Sequence, residues 1–372
     1  MSEQQFFDDR MRYLAFIENT NEKSQFCELV FPYIERIRCD QTCVKILDAG
    51  TGDGSITTNI IRAFHNYHPN KLLSIFGKEI SFKDLKSTLN KLSDRFMEHP
   101  KMLVTLTNFK FSEIKQLHKS DKINGKDVKF LEIELSGCNS YDFQKQIMNA
   151  EVIKFITQFW GINSNSSGNT QYTNPCVINV FRKDHSRVVF KKCQNTKMPD
   201  NFDLIIASQA YRSRSPPERK VSYVIAPLAR LLSDSGELLI THSKGGEQIN
   251  DILKVAFKDL NAFPSLAKDL IYHLQKEPKI DNYHYEYSVP STYQFKFTDT
   301  PTGAPSELFG REIDAKIEAL LYFSQITDQE IKTLNRNNEQ FLKLRASIRQ
   351  YPELTFINEF FTIKKLKTIR NH

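Results

Sequence analysis

Three glycines alternate in Gly50-Thr51-Gly52-Asp53-Gly54, and an acid, Asp48, stands two residues before the first of them. Glycine lets a ligand approach the main chain closely, and a helix starting just beyond offers free N–H groups. The pattern is D-x-G-x-G-x-G. The dinucleotide fingerprint G-x-G-x-x-G would need glycine at position 55, which is Ser55. A second acid, Glu79, ends the apolar run 72–78 at a distance that suits a βαβ unit. A carboxylate there can accept two hydrogen bonds from a diol. Four further groups carry acceptor-type chemistry: Glu22, Gln209, Tyr211 and His242. All four can orient a ligand by hydrogen bonds, and Glu22 and His242 can also take a proton. Three of them have a plainer alternative. Glu22 suits the first turn of a helix, where an acid stabilises the dipole. Tyr211 can fill a floor, and a strand-end histidine such as His242 can be structural or merely exposed. No cluster of Cys, His, Asp and Glu has metal-ligand spacing.

These groups need elements to hold them. Residues 44–47 read as a buried strand and 55–68 as a helix with Ile56, Ile60, Ile61 and Phe64 inward. A strand at 72–79, a helix at 82–97 and a strand at 102–106 continue the alternation, and Thr107, Asn108 and Phe109 follow. The pattern resumes at strand 202–207, whose exit loop is Ser208-Gln209-Ala210-Tyr211. Helix 221–232, strand 237–242 and helix 249–260 come next. Either 283–287 or 293–297 pairs with 359–364 as the antiparallel strands that close the sheet, and helices lie around 313–323, 328–334 and 341–348. Residues 5–38 read as two helices, broken at Asn19-Thr20-Asn21, with Glu22 in the first turn of the second. Residues 111–200 are too many for one crossover. They predict strands at 128–135, 177–181 and 188–190, a helix at 141–160 and a polar loop at 163–174. The organisation is thus a helical cap at 1–42, a core at 43–110 and 201–372, and an inserted subdomain at 111–200.

The run from Asp48 to Gly54 resembles the first motif of class I S-adenosylmethionine-dependent methyltransferases. The resemblance implies a Rossmann-like α/β fold with a seven-stranded, mostly parallel sheet and an antiparallel last strand. It also implies S-adenosylmethionine as cofactor. Asp48, Gly50, Thr51, Gly52 and Gly54 would hold its methionine end, Glu79 with Ile80 its ribose, and Asn108 and Phe109 its adenine. Ser208 would face it from the fourth strand. Residues 16–26 are similar to the segment before the first strand of histamine N-methyltransferase and its small-molecule relatives. That similarity implies that Glu22 holds an amine and that Gln209 also binds substrate. Enzymes that methylate exocyclic amines of nucleic-acid bases carry Asp/Asn-Pro-Pro-aromatic where this chain has Ser208-Gln209-Ala210-Tyr211. The function implied is methyl transfer to nitrogen of a small molecule by in-line displacement. A protein or RNA methyltransferase, and a methyltransferase-like binding protein without turnover, are the alternatives.

Composition bounds the rest. The chain has 372 residues, 40% of them hydrophobic and 26% charged, which is ordinary globular composition. The net charge of +7 is spread out, and the densest basic run is Lys364, Lys365, Lys367 and Arg370. Such a run reads first as a solvated tail, so nucleic acid is not the expected partner. Six cysteines (Cys27, Cys39, Cys43, Cys138, Cys176, Cys193) include no C-x-x-C pair and read as reduced thiols. No apolar run approaches the roughly 20 residues that cross a bilayer, and 1–12 is unlike a signal peptide. The expectation is a soluble cytoplasmic protein.

Overall fold

The structure is a computed structural model and describes residues 10–37, 42–118, 121–164, 170–193, 201–298 and 306–367. The expected apolar runs form one mixed sheet of ten strands. They are β1 (Cys43–Asp48), β2 (Leu72–Lys78), β3 (Met102–Thr107), β4 (Lys129–Leu135), β5 (Cys176–Arg182), β6 (Phe202–Ser208), β7 (Leu232–Gly245), β8 (Tyr285–Tyr287), β9 (Ser291–Lys296) and β10 (Thr355–Lys365). Their order is β8-β10-β7-β6-β1-β2-β3-β5-β4, and β9 also pairs with β10. The central pairs β3-β2, β2-β1, β1-β6 and β6-β7 are parallel, and β7-β10 is antiparallel. Both faces of the central strands are covered, so β3 is buried at every position and reads as continuous apolar sequence. This is the doubly wound α/β arrangement, with the strand order reversing between β1 and β6.

One face of the sheet packs on α1 (Arg10–Glu18) and α2 (Glu22–Glu35), with α3 (Ser55–Tyr67) following β1. Phe26, Val30, Ile34, Ile60, Ile61 and Phe64 meet Val44, Ile46 and Leu239 there. On the other face Leu47, Ile205, Leu238 and Ile240 meet the helical run 217–229 and helix Ala267–Gln275. A third cluster joins Phe16 of α1 to Phe295, Phe323 and Phe356, and so to helices Ser306–Phe323, Asp328–Arg336 and Asn338–Arg349. Among the described residues no helix is long and apolar enough to cross a membrane.

Several expectations are corrected. Residues 188–190 lie in a helix, Ser186–Cys193, with Val189 packed on Leu72, Leu103 and Phe181. A three-residue apolar run does not distinguish the two periods. The expected helix at 82–97 is two, Phe82–Asn90 and Leu92–Glu98; that at 141–160 is also two, Ser140–Ile147 and Ala150–Phe159. The second break is set by Asn149, whose side chain caps the following helix. The polar stretch 163–174 contains a short hairpin, Ile162–Ser164 with Thr170–Tyr172; residues 165–169 lie outside the described ones. Both candidate closing strands exist. β8 and β9 are consecutive antiparallel partners of β10, interrupted around Pro290, which has no N–H to give a ladder. Strands β4 and β5 of the 111–200 segment join the sheet itself: β5 runs antiparallel to β3 and parallel to β4. Cys27, Cys138 and Cys176 are free, but Cys43 is disulfide-bonded, against the reading of six reduced thiols. A bridge needs two Cβ atoms about 3.8 Å apart, which spacing in sequence does not reveal. Cys39 and Arg370 lie outside the described residues.

Candidate functional site

The turn between β1 and α3 is pinned from below. Asp48 is 1% exposed and accepts hydrogen bonds from the Thr57 hydroxyl at 2.6 Å and the Gly50 N–H at 3.3 Å. Its burial raises its pKa, which those donors oppose. Gly52 and Gly54 sit at φ +52° and +83°, where a side chain is strained. A Cβ on Gly54 would stand 2.8 Å from the Thr88 Cα. Gly50 differs, since a Cβ there would meet nothing within 4 Å. The loop therefore opens onto free space at its first glycine. Beside it the Thr51 hydroxyl is buried with no hydrogen-bond partner.

Gly77 in β2 is a participant the sequence reading missed. A Cβ there would stand 2.6 Å from Thr51 Cγ2 and 2.7 Å from Leu106 Cδ2. Its bareness lets the loop lie on the strand. The signal was available: a glycine inside an apolar strand marks close approach of another group. Just beyond, Glu79 accepts from the N–H groups of Gly52 (2.8 Å), Ile80 and Ser81 (2.7 Å each). Burial outweighs Lys78 and the amide donors and pushes its carboxyl up to about 7.

Helices α1 and α2 clamp the loop from above. Asp53 receives the Lys23 ammonium, Lys91 Nζ at 2.6 Å and the Ser55 hydroxyl at 2.5 Å. Burial would raise its pKa, but Lys23 and the other donors hold it well below the usual carboxylate range. The Tyr13 hydroxyl accepts from the Asp53 N–H at 3.2 Å, and a Cβ on Gly52 would lie 2.7 Å from it. The Tyr13 and Tyr322 rings lie 5.6 Å apart.

The neighbour of Lys23 in sequence, Glu22, belongs to a second network. It is 8% exposed and accepts from Gln209 Nε2 at 2.5 Å and Asn358 Nδ2 at 3.2 Å. Asn358 Nδ2 also donates to the Tyr293 hydroxyl at 3.0 Å, while Asn358 Oδ1 is buried without a partner. Burial, against Lys23 and the two amides, pushes Glu22 up to about 6. Gln209, leaving β6, has φ +48° and donates its N–H to the Thr241 hydroxyl at 3.1 Å. A left-handed backbone at a non-glycine residue costs about 1 kcal/mol or more and is concentrated at functional positions. The structure thus brings Glu22 and Gln209 together and adds Asn358, Tyr293 and Thr241. Asn358 carried a signal, because with Glu359 it forms a polar pair between Phe356-Ile357 and Phe360-Phe361.

Other expected site residues lie elsewhere. Thr241 shares the Leu239 face of β7, so alternation turns His242 to the opposite face with Ile240. His242 Nε2 is 2.6 Å from the Ser265 carbonyl, and its ring lies 5.7 Å from that of Tyr211. Burial and the charge of Lys220 push its pKa down to about 4, so the ring is neutral. His242 and Tyr211 form a cluster apart from Glu22. The Asn108 side chain donates to the Asn174 carbonyl and accepts from the Cys176 N–H, both at 2.9 Å. Phe109 is fully buried with its ring 6.4 Å from Tyr172. Asn108 thus fastens the end of β3 to the added strand β5, and Phe109 packs on the hairpin that precedes it. Ile80 and Ser208 are partly exposed, at the carboxyl ends of β2 and β6.

No protein-family model and no curated protein matches this chain. Solved structures show a loose likeness. YjhP from E. coli is 10% identical, with 96% of this chain and 100% of that one covered at a TM-score of 0.40. The cyclopropane synthase MmaA2 from Mycobacterium tuberculosis is 11% identical, with 91% and 83% covered at 0.34. Phosphoethanolamine N-methyltransferase 2 of Haemonchus contortus, with S-adenosyl-L-methionine, is 10% identical, with 91% and 53% covered at 0.31. The fold assignment rests on strand order and register, and the chemistry on the residues above.

Proposed function

We propose that this protein is an S-adenosylmethionine-dependent methyltransferase acting on nitrogen of a small-molecule acceptor. The observation that carries this reading is the adjacency of two networks on the first turn of α2. Lys23 closes on the glycine loop through Asp53, and Glu22, one residue earlier, presents a buried carboxylate held by Gln209 and Asn358.

The residues fit the cofactor. Open space above Gly50 and the unpartnered Thr51 hydroxyl suit its polar methionine end. Glu79, at the carboxyl end of β2, suits a ribose diol. When bound, S-adenosylmethionine supplies a methyl group already activated on sulfonium, so the protein's work is alignment and exclusion of water. Glu22 holds the acceptor nitrogen through a charge-assisted hydrogen bond to its carboxylate. With its pKa raised to about 6, it is ionised at neutral pH and basic enough to take a proton from the nitrogen. Gln209 and Asn358 fix the rotamer of Glu22. Tyr293 accepts from Asn358, and Tyr13 covers Gly52.

Differential scanning of the protein with S-adenosylmethionine and with its demethylated product tests the cofactor half. Both are expected to raise the Tm, and Gly52→Arg, which fills the Tyr13 contact, is expected to abolish the shift. Transfer of labelled methyl to a panel of free amines tests the acceptor half. Absence of any shift at millimolar cofactor would remove the whole reading. A shift without transfer to any amine would remove only the acceptor.

A further inference from the structure

On the sheet face opposite Glu22, at the carboxyl ends of β6 and β7, lies a buried cation. Lys220 is 1% exposed. Its Nζ donates to the Ser213 carbonyl at 2.6 Å and the Ser265 hydroxyl at 2.7 Å, and stands 5.6 Å from the centre of the Tyr211 ring. Among the described residues no carboxylate lies within ion-pair reach of it. Asp269 favours the ammonium electrostatically without contacting it, and the hydrogen bonds of the two nearby acids go elsewhere. Asp269 accepts the Leu266 N–H at 2.7 Å, and Glu359 accepts the Ala267 N–H at 2.6 Å and pairs with Lys244 at 3.6 Å. A buried ammonium without a contacting counter-ion is costly unless something compensates it.

Around this ammonium three buried polar atoms have no partner: the Tyr211 hydroxyl, the Ser213 hydroxyl and His242 Nδ1. Their chemistry is specific. Tyr211 and Ser213 can donate, and Lys220 has a third N–H left. His242 must donate through Nε2, because its partner there is a carbonyl, so Nδ1 is left as an acceptor. Open α/β sheets bind ligands at the carboxyl ends of their strands, and Tyr211 follows the end of β6 while His242 lies near that of β7. We propose that Lys220, Tyr211, Ser213 and His242 form a binding site for a compact oxyanion that carries one hydroxyl group. The anionic oxygens take Lys220, Tyr211 and Ser213, and the hydroxyl donates to His242 Nδ1. Burial also favours deprotonation of Lys220, bringing it down to about 8, and a bound anion would reverse that.

Inorganic phosphate and sulfate are the probes, titrated into the full chain at pH 7 and matched ionic strength by calorimetry and thermal shift. Hydrogen phosphate carries the required hydroxyl and sulfate does not, so phosphate is expected to bind saturably and at least tenfold more tightly. Lys220→Met is expected to lower phosphate affinity at least tenfold while the thermal response to S-adenosylmethionine stays as in the parent. Tyr211→Phe removes one hydroxyl with little risk to folding and is expected to lower it severalfold. Equal responses to phosphate and sulfate would overturn the proposal. So would a phosphate response surviving in both variants, or crystals grown in phosphate with only water among the four groups.

Discussion

Glu79 and Glu22 are buried acids whose folded pKa values, about 7 and about 6, lie above the ordinary 4.5. A group raised in this way adds stability that is complete below 4.5 and is lost as pH rises through its folded value. For Glu79 the loss runs from about pH 5 to 7.5 and amounts to roughly 3 kcal/mol. His99 and His242, pushed down to about 4, act in the opposite sense and only below 6.5. The Glu79 contribution is therefore read as the difference between the protein and Glu79→Gln. From pH 6 to 8 the parent is expected to lose Tm relative to the variant, and a constant difference across that range would contradict the burial argument. At this scale type and spacing placed the glycine turn between β1 and α3 and Glu79 at the end of β2. The sequence was not readable for His242, because the face a strand residue presents depends on register. Nor was it for Asn108, whose side chain is taken up by a strand that arrives 68 residues later.

The element that matters most is the first turn of α2. Its residues 22 and 23 point into two different networks, so on the proposed function tilting this turn moves the cofactor clamp and the acceptor group together. Binding at either place is then linked to the other by the same factor in both directions. Lys23→Met, which leaves Asp53 to Lys91 and Ser55, is expected to cost about 1.5–3 kcal/mol as Asp53 loses one charged hydrogen bond. It is also expected to weaken cofactor binding severalfold without touching Glu22 directly. Urea melts and calorimetry check the two effects, and unchanged cofactor affinity would break the proposed linkage. Long apolar strands and α2 were legible because their period is set locally. Helix boundaries at Lys91 and Met148, and helix Ala267–Gln275, were not, since caps and tertiary contacts decide them.

Across the molecule, an aromatic cluster ties α1 and helix Ser306–Phe323 to the sheet. Phe295 stacks on Phe356 at 5.0 Å and meets Phe16 and Phe323 at 5.9 and 5.6 Å. Phe295→Ala is expected to cost about 3–5 kcal/mol, the usual price of emptying a packed aromatic site. Because α1 carries both Phe16 and Tyr13, the same variant is expected to loosen the cover over Gly52. Limited proteolysis should then cut near α1 first. Protection of that region equal to the parent's would show that cap and cluster are independent. The seven-strand core was legible from sequence; its growth to ten strands was not, because pairing between β3 and β5 joins segments far apart in the chain.

That growth moves the open flank of the sheet outward to β4, where Phe130, Glu132 and Glu134 are exposed on one side. Two copies of this molecule meeting flank to flank would set glutamates against each other, which discourages the kind of strand-to-strand adhesion from which fibrils grow. Replacing both with valine should leave the native fold in place and turn a clear solution into one that scatters light on standing.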